Sequence, residues 1–334
     1  MSDDRVMDLF YPPDWRCAKN PLWSGLREQS TRWAIEVGFD GDCEELANKP
    51  GSYAVESPLF ISWLYSTTPN PAFLQLMSDY TVWVLFVDDY VVEEALRADD
   101  GRRQAMLSTF STKLERAPSS TEPLERGFHD LVRRFRDISG GERRPEWMER
   151  FDESWVECFR SIVFEETKAL TAWQGRAFYE AQRPAYSFDV TYIHPVEVAY
   201  DCYLPPRVAR DARIRRLHSV AALGCGLAND AISAAREKPV DGAPSQNYVF
   251  MHMHEQGCGE VEALRATVAW HNECVRECVR LGDEIVRAFG GEHPQIDTYV
   301  RGVYNVFRGH TEWTRTTARY GRLAGCEFRI VPQG

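Results

Sequence analysis

The chain has 334 residues, enough for one large domain or two ordinary ones, and its 44% hydrophobic content can supply a sizeable core. Its formal charge of −11, with acids and bases interleaved as in ERRPEWMERFDESW and no segregated basic patch, argues against nucleic acid as a partner. No uncharged apolar run of about 18 residues occurs, and the opening MSDDRVMDLF lacks the basic-then-apolar layout of a secretory signal. These features predict a cytoplasmic protein with no membrane span.

In chain order, residues 1–22 contain prolines and no helical period, and read as an irregular arm with strand-like character. Helix-period apolar spacing then marks 26–39, 71–96, 148–173, 209–237, 259–289 and 295–314. Breakers separate these runs: NKPGS (48–52), TTPNP (67–71), ISGGERRP (138–145), LPP (204–206), KPVDGAPSQ (238–246) and GGEHP (290–294). None is long enough for an interdomain linker. Several runs exceed 20 residues, which suits antiparallel helices packed around a deep apolar cavity. The reading is therefore all-α: an arm at 1–22, a single-domain helical bundle at 23–322, and a loose tail at 323–334. The nine cysteines show no CxxC and are read as reduced, structural thiols. His252 and His254 form an HMH in a helical stretch, a weak metal signal.

Two polar clusters interrupt the apolar helices. In helix 71–96 the run TVWVLFV ends in Asp88-Asp89, and Glu93 follows four residues after Asp89 on the same face. Carboxylates gathered there repel one another unless a cation intervenes, and hard Mg²⁺ takes oxygen ligands. An acidic, solvated helix end would show the same residues. In helix 209–237, Asn229, Ser233 and Glu237 recur at i, i+4 and i+8, which stacks an amide oxygen, a hydroxyl and a carboxylate along one stripe. Such a stripe could hold one divalent ion. It would equally fit an amphipathic helix whose Asn and Ser bond back to the backbone.

Together the clusters carry a resemblance. Asp88-Asp89-Tyr-Val-Val-Glu93 resembles the aspartate-rich motif of class I terpene synthases in its DDxxxE form. Asn229-Asp230-x-x-Ser233-x-x-Arg236-Glu237 matches their (N/D)Dxx(S/T)xx(K/R)(D/E) triad at every specified position. Arg183 lies 46 residues before Asn229, where the bacterial members carry a diphosphate-sensing arginine. Arg319-Tyr320 resembles their C-terminal RY pair, with Trp313 six positions ahead. Residues 192–223, YIHPVEVAYDCYLPPRVARDARIRRLHSVAAL, further resemble the corresponding stretch of 2-methylisoborneol synthases.

The resemblance implies the class I terpenoid synthase fold and a cyclase acting on a prenyl diphosphate. It implies three Mg²⁺ ions, held by Asp88, Asp89 and Glu93 on one side and by Asn229, Ser233 and Glu237 on the other. Arg183, Arg236, Arg319 and Tyr320 would face the diphosphate, and the negative charge of the protein is then no obstacle to an anionic substrate. Ser187 stands where a glycine often provides a carbonyl that helps trigger ionisation; the usual Asp-Gly pair is absent after Arg183. Aromatic faces suit a carbocation because they stabilise it without attacking it. The candidates are Phe60, Trp63, Trp83, Phe86, Phe188, Tyr192 and, as a catalytic contact, Trp313. Farnesyl or geranylgeranyl diphosphate is the favoured substrate, with geranyl or 2-methylgeranyl diphosphate as the alternative that the 192–223 stretch keeps open. A chain-elongating prenyltransferase and a non-catalytic helical binding protein are the rival readings, and a homodimer is left open.

Overall fold

The computed structural model describes residues 5–15, 17–39, 53–97, 99–105, 123–140, 143–240, 242–318, 320 and 326–332; side chains at 54, 88–97 and 166 lie outside the description. The molecule is a helical bundle. Its first long helices are α1 (Leu26–Val37), α2 (Tyr53–Leu64), α3 (Pro71–Arg97) and α4 (Pro123–Ser139). α5 (Pro145–Arg160) runs through a π-helical segment, Ser161–Glu166, into α6 (Thr167–Thr171), so the stretch expected as one α-helix carries a local widening of its hydrogen-bond ladder. α7 (Arg176–Tyr186) and the short α8 (Asp189–Ile193), α9 (Val196–Ala199) and α10 (Pro206–Ala209) lead to α11 (Ala212–Ser233). α12 (Tyr248–Gln256), α13 (Glu260–Phe289) and α14 (Ile296–Thr316) complete the bundle.

The boundaries follow local chemistry. α1 stops where Gly38 adopts a left-handed conformation, φ 91°. α11 starts late because Asp211 caps it, accepting the N–H of Arg213 at 2.9 Å, while Pro205 and Pro206 open the separate α10. The run expected to reach 237 leaves regular α geometry after Ser233, short of the break at Pro239. Glu237 N–H still bonds to Ser233 C=O at 3.1 Å, so one further helical turn survives.

The core between α3, α4 and α5 is aromatic. Trp83 and Tyr80 lie parallel to Trp155, with ring centroids 6.1 and 5.3 Å away, and Phe128 fills the angle between them. On the other side α11 is buried against α13 and α14 along its small-residue run AALGCGLA. Small residues are required there: a Cβ on Gly224 would come within 2.1 Å of the Phe307 ring. The two ends of the chain meet in a parallel pair, β1 (Val6–Tyr11) with β2 (Glu327–Pro332), Val6 opposite Glu327. Residues 327–332 are thus a strand rather than a loose tail. Asn272 covers the free edge of β1, accepting from Phe10 N–H and donating to Asp8 C=O.

Candidate active site

The end of α11 and the last turn of α7 face each other across a cavity of about 230 Å³. Asn229, half-buried, donates through Nδ2 to the Tyr320 hydroxyl at 2.8 Å. Its Oδ1 lies 3.4 Å from Nη2 of Arg183, which turns the 46-residue separation in sequence into a contact. Ser233, one turn on, is fully buried, and its hydroxyl has no hydrogen-bond partner among the described residues. A buried hydroxyl left unbonded costs free energy, so a missing partner belongs at this point. Glu237 completes the stripe, one of its carboxylate oxygens accepting from Asn247 at 3.0 Å. Among the described residues no cluster of three His, Cys, Asp or Glu side chains suggests another metal site. An amide, a hydroxyl and a carboxylate are the oxygen donors that a hard divalent cation accepts, and the unbonded Ser233 hydroxyl fits one.

Arg183 is held from behind. Its Nη2 bonds to Asp230 at 2.8 Å, and Gly226 leaves room for the side chain: a Cβ there would be 2.8 Å from Arg183 Cγ. Asp230 also accepts from the Tyr179 hydroxyl at 2.8 Å and the Tyr248 N–H at 2.6 Å. Burial disfavours the charge on Arg183, but Asp230, Tyr179, Tyr186 and Asp189 together outweigh it and hold the guanidinium's pKa above its ordinary value. Arg236 lies on the same wall with its guanidinium 5.8 Å from the Tyr320 ring centre.

Residues 79–277, more than half of the chain, match the family model described as terpene synthase family 2, C-terminal metal binding. The chain belongs to this terpene synthase family. It is 24% identical over 293 residues to 10-epi-cubebol synthase of Sorangium cellulosum (strain So ce56), covering 84% of this chain and 91% of that one. It is 27% identical over 323 residues to isoafricanol synthase of Streptomyces violaceusniger (strain Tu 4113), covering 90% and 81%. In fold it is similar to germacradien-4-ol synthase from Streptomyces citricolor, with a TM-score of 0.72 at 20% identity over 94% and 99% of the two chains. The protein is a class I terpene cyclase, a lyase that converts a prenyl diphosphate to a terpene or terpene alcohol. A divalent metal belongs to its chemistry. The elongating-transferase and non-catalytic readings fall away. No helix among the described residues is long and apolar enough to cross a membrane.

The synthase lines the cavity with Phe60, Phe188, Tyr192 and Trp313, together with Thr81, Val84 and Leu85. Phe60 stands edge-on to both Tyr192 (5.1 Å) and Trp313 (4.8 Å). Three expected wall residues point elsewhere. Trp83 is in the α3–α5 core, its Nε1 bonded to Leu124 C=O; Phe86 stacks on Phe39 at 4.3 Å; Trp63 lies under the Lys19 ammonium. For the two on α3 the reason is angular: Trp83 and Phe86 lie one, two or five residues from the lining Thr81, Val84 and Leu85 and so face other sides, and α3 buries more than one side. Asp88, Asp89 and Glu93 fall on α3, but their side chains lie outside the described residues, as does Arg319.

The break after Arg183 has its own geometry. Ser187 Oγ sits 2.7 Å from Arg183 C=O and 2.6 Å from the Asp189 carboxylate. The left-handed residue is the next one, Phe188, at φ 59°. For a residue with a Cβ this conformation costs about 1–2 kcal/mol, and the buried ring against Phe159 holds it in place. Four acids and bases here escaped the sequence reading: Asp189, Asp230, His310 and Glu56. Asp230 lay inside the matched motif, but its role as the anchor of Arg183 needs the fold. Asp189 and His310 face the cavity, 3.4 Å apart.

Burial pushes the Asp189 carboxyl up to about 7, against the pull of Arg183 and the Ser187 hydroxyl. Burial pushes His310 down to about 3, with Arg183 and His271 adding to it. Folded Asp189 therefore binds more protons than the unfolded residue between pH 4 and 7, and its contribution to stability falls as pH rises through that window. Asp189→Asn removes this loss. Relative to the parent, the variant is expected to gain roughly 2–4 kcal/mol on going from pH 5 to pH 8. Denaturant unfolding of both proteins at the two pH values measures the gain, and parallel pH profiles would mean that Asp189 ionises normally.

Proposed function

We propose that the enzyme takes farnesyl or geranylgeranyl diphosphate, ionises it with the help of three Mg²⁺ ions, and cyclises the allylic cation in the aromatic cavity. The observation that carries this reading is the meeting of Arg183 with Asn229 beside the unbonded Ser233 hydroxyl, at the end of a cavity walled by Phe60, Tyr192 and Trp313. In this reading Asn229, Ser233 and Glu237 hold one metal ion, and Asp88, Asp89 and Glu93 hold the others. Bound metal would neutralise charge on the leaving diphosphate. Arg183 and Arg236 donate hydrogen bonds to its oxygens, joined by Arg319 and by Tyr320 once its hydroxyl turns from Asn229. Arg183, held by Asp230, stands ready before charge develops, which makes it worth more than mobile water. Ser187 and Phe188 line the cavity beside Arg183, which supports a role for this break in triggering ionisation.

The aromatic wall then does two things. It folds the chain, and it excludes water while its ring faces stabilise the migrating cation, by about 0.5–2 kcal/mol each. Relatives named for 10-epi-cubebol and isoafricanol cover most of the chain, which supports a cyclised product. A second reading, geranyl or 2-methylgeranyl diphosphate, is favoured by the 192–223 stretch, which contributes Tyr192 to the wall.

The test is incubation with geranyl, 2-methylgeranyl, farnesyl and geranylgeranyl diphosphate, with Mg²⁺ or with EDTA, followed by gas chromatography and mass spectrometry. A cyclic product from a C15 or C20 substrate, lost with EDTA, is the expected result. Cyclic product only from a C10 or methylated C10 substrate would establish the second reading instead. Equal turnover with EDTA would overturn the metal assignment.

A further inference from the structure

We propose that Glu56 is a positioning residue that fixes the indole of Trp313 in the cavity wall and so helps decide which cyclisation follows ionisation. The proposal rests on the reading above, in which Trp313 faces the cation.

A buried indole needs an acceptor for its N–H. For Trp313 that acceptor is one carboxylate oxygen of Glu56, 3.1 Å from Nε1. The same oxygen accepts from the Thr317 hydroxyl at 2.6 Å. Glu56 is only 2% exposed and sits in the otherwise uncharged helix YAVESPLFISWL. A carboxylate withdrawn from water in such a helix is costly unless it is bonded, and an apolar residue would pack there at less expense. A position in the first turn suits the helix dipole but does not call for burial.

The geometry gives the burial a purpose. Glu56 and Phe60 are one turn apart on α2; one holds the indole edge while the other stands 4.8 Å from the ring. Together they set both the tilt and the position of Trp313. Thr317, the second donor, is the residue at which α14 ends and the chain becomes extended. Three residues later Tyr320 reaches Asn229. One oxygen therefore ties the ring that meets the cation to the chain segment that meets the metal stripe. Released from it, the indole can turn about its side-chain torsions, and a misplacement of about 1 Å at a reacting centre can cost on the order of 100-fold in rate.

The experiment compares Glu56→Ala, Glu56→Gln, Thr317→Val and Trp313→Ala with the parent, using the substrate identified by the panel above. It reads product ratios, kcat, KM and thermal unfolding. Glu56→Ala is expected to lower kcat by roughly 10–100-fold with KM little changed, and to raise the share of acyclic or early-quenched products. Glu56→Gln, whose amide oxygen still accepts from both donors, is expected to restore the parental ratios. Thr317→Val should move the ratios in the same direction as Glu56→Ala, by less. If Glu56→Ala does not fold, Glu56→Asp, one methylene short, takes its place: altered ratios support the proposal and parental ratios overturn it. Parental ratios in folded Glu56→Ala, with altered ratios in Trp313→Ala, overturn the role of Glu56 and leave the cavity assignment standing. Parental ratios in both remove Trp313 itself from the reaction.

Discussion

Asn229→Ala is expected to abolish diphosphate release, by on the order of 1000-fold or more, while the protein keeps its fold. The two effects separate because Asn229 does little for stability. It is half-buried at the end of α11, and it makes one good hydrogen bond, to Tyr320, and one long one, from Arg183. Losing a neutral hydrogen bond of this kind costs about 1 kcal/mol. Its Oδ1, by contrast, is one of the oxygens along the stripe with Ser233 and Glu237, and in the proposed reading an alanine leaves the ion bound there two ligands from the protein. Asn229→Asp keeps an oxygen at the same place and should retain measurable turnover, with a changed dependence on Mg²⁺ concentration. Asp88→Ala should behave like Asn229→Ala if the two clusters act on one diphosphate. A diphosphate-release assay across a Mg²⁺ titration, with circular dichroism as the control for folding, measures all three. Full activity in Asn229→Ala would take the stripe out of the site.

The sequence made the helices and the Asn229-Ser233-Glu237 stripe readable because both depend on local spacing. Apolar period and proline breakers mark α3 almost to the residue, 71–96 against Pro71–Arg97, and α13 as well, 259–289 against Glu260–Phe289. The stripe needs only the four-residue repeat of a helix. The Arg183–Asn229 contact was legible for another reason, since the offset resembles that of a known family. Long-range contacts with no such precedent were not legible. Nothing local tells that residues 327–332 pair with 6–11, because the partners of both strands are distant in sequence: each other, and for β1 also Asn272, His271 and Thr311. Nor does charge reveal burial. Glu56, Asp189 and Asp230 look like any other acids in a chain of 50, and only the fold withdraws them from water. Ring direction failed for the same reason. Trp83 and Trp313 are equally apolar, but one fills the α3–α5 core and the other faces the cavity, according to the side of the helix each occupies.

Arg183 shows how a stability role and a catalytic role can be told apart in one residue. Its guanidinium and the Asp230 carboxylate form a buried pair at 2.8 Å. Arg183→Gln leaves Asp230 with the Tyr179 hydroxyl and the Tyr248 N–H but no counter-charge, at a position where burial already raises its pKa. Breaking such a pair from one side costs about 3–5 kcal/mol. Loss of activity in this variant would therefore be ambiguous, since a loosened α7–α11 contact would also move Asn229. The double variant Arg183→Gln/Asp230→Asn resolves the ambiguity by removing the stranded charge, and most of the lost stability should return. Activity should not return, because in the proposed reading the guanidinium lost from Asp230 is also a donor to the diphosphate, and the remaining wall cation, Arg236, does not replace it. Arg183→Lys is expected to fall between these cases: Gly226 leaves space for the chain, but an ammonium cannot offer a planar pair of donors to Asp230 or to diphosphate. Urea unfolding and diphosphate release, measured on all three variants, place each on both scales. Recovery of stability together with turnover in the double variant would make Arg183 a structural residue and remove it from the diphosphate site.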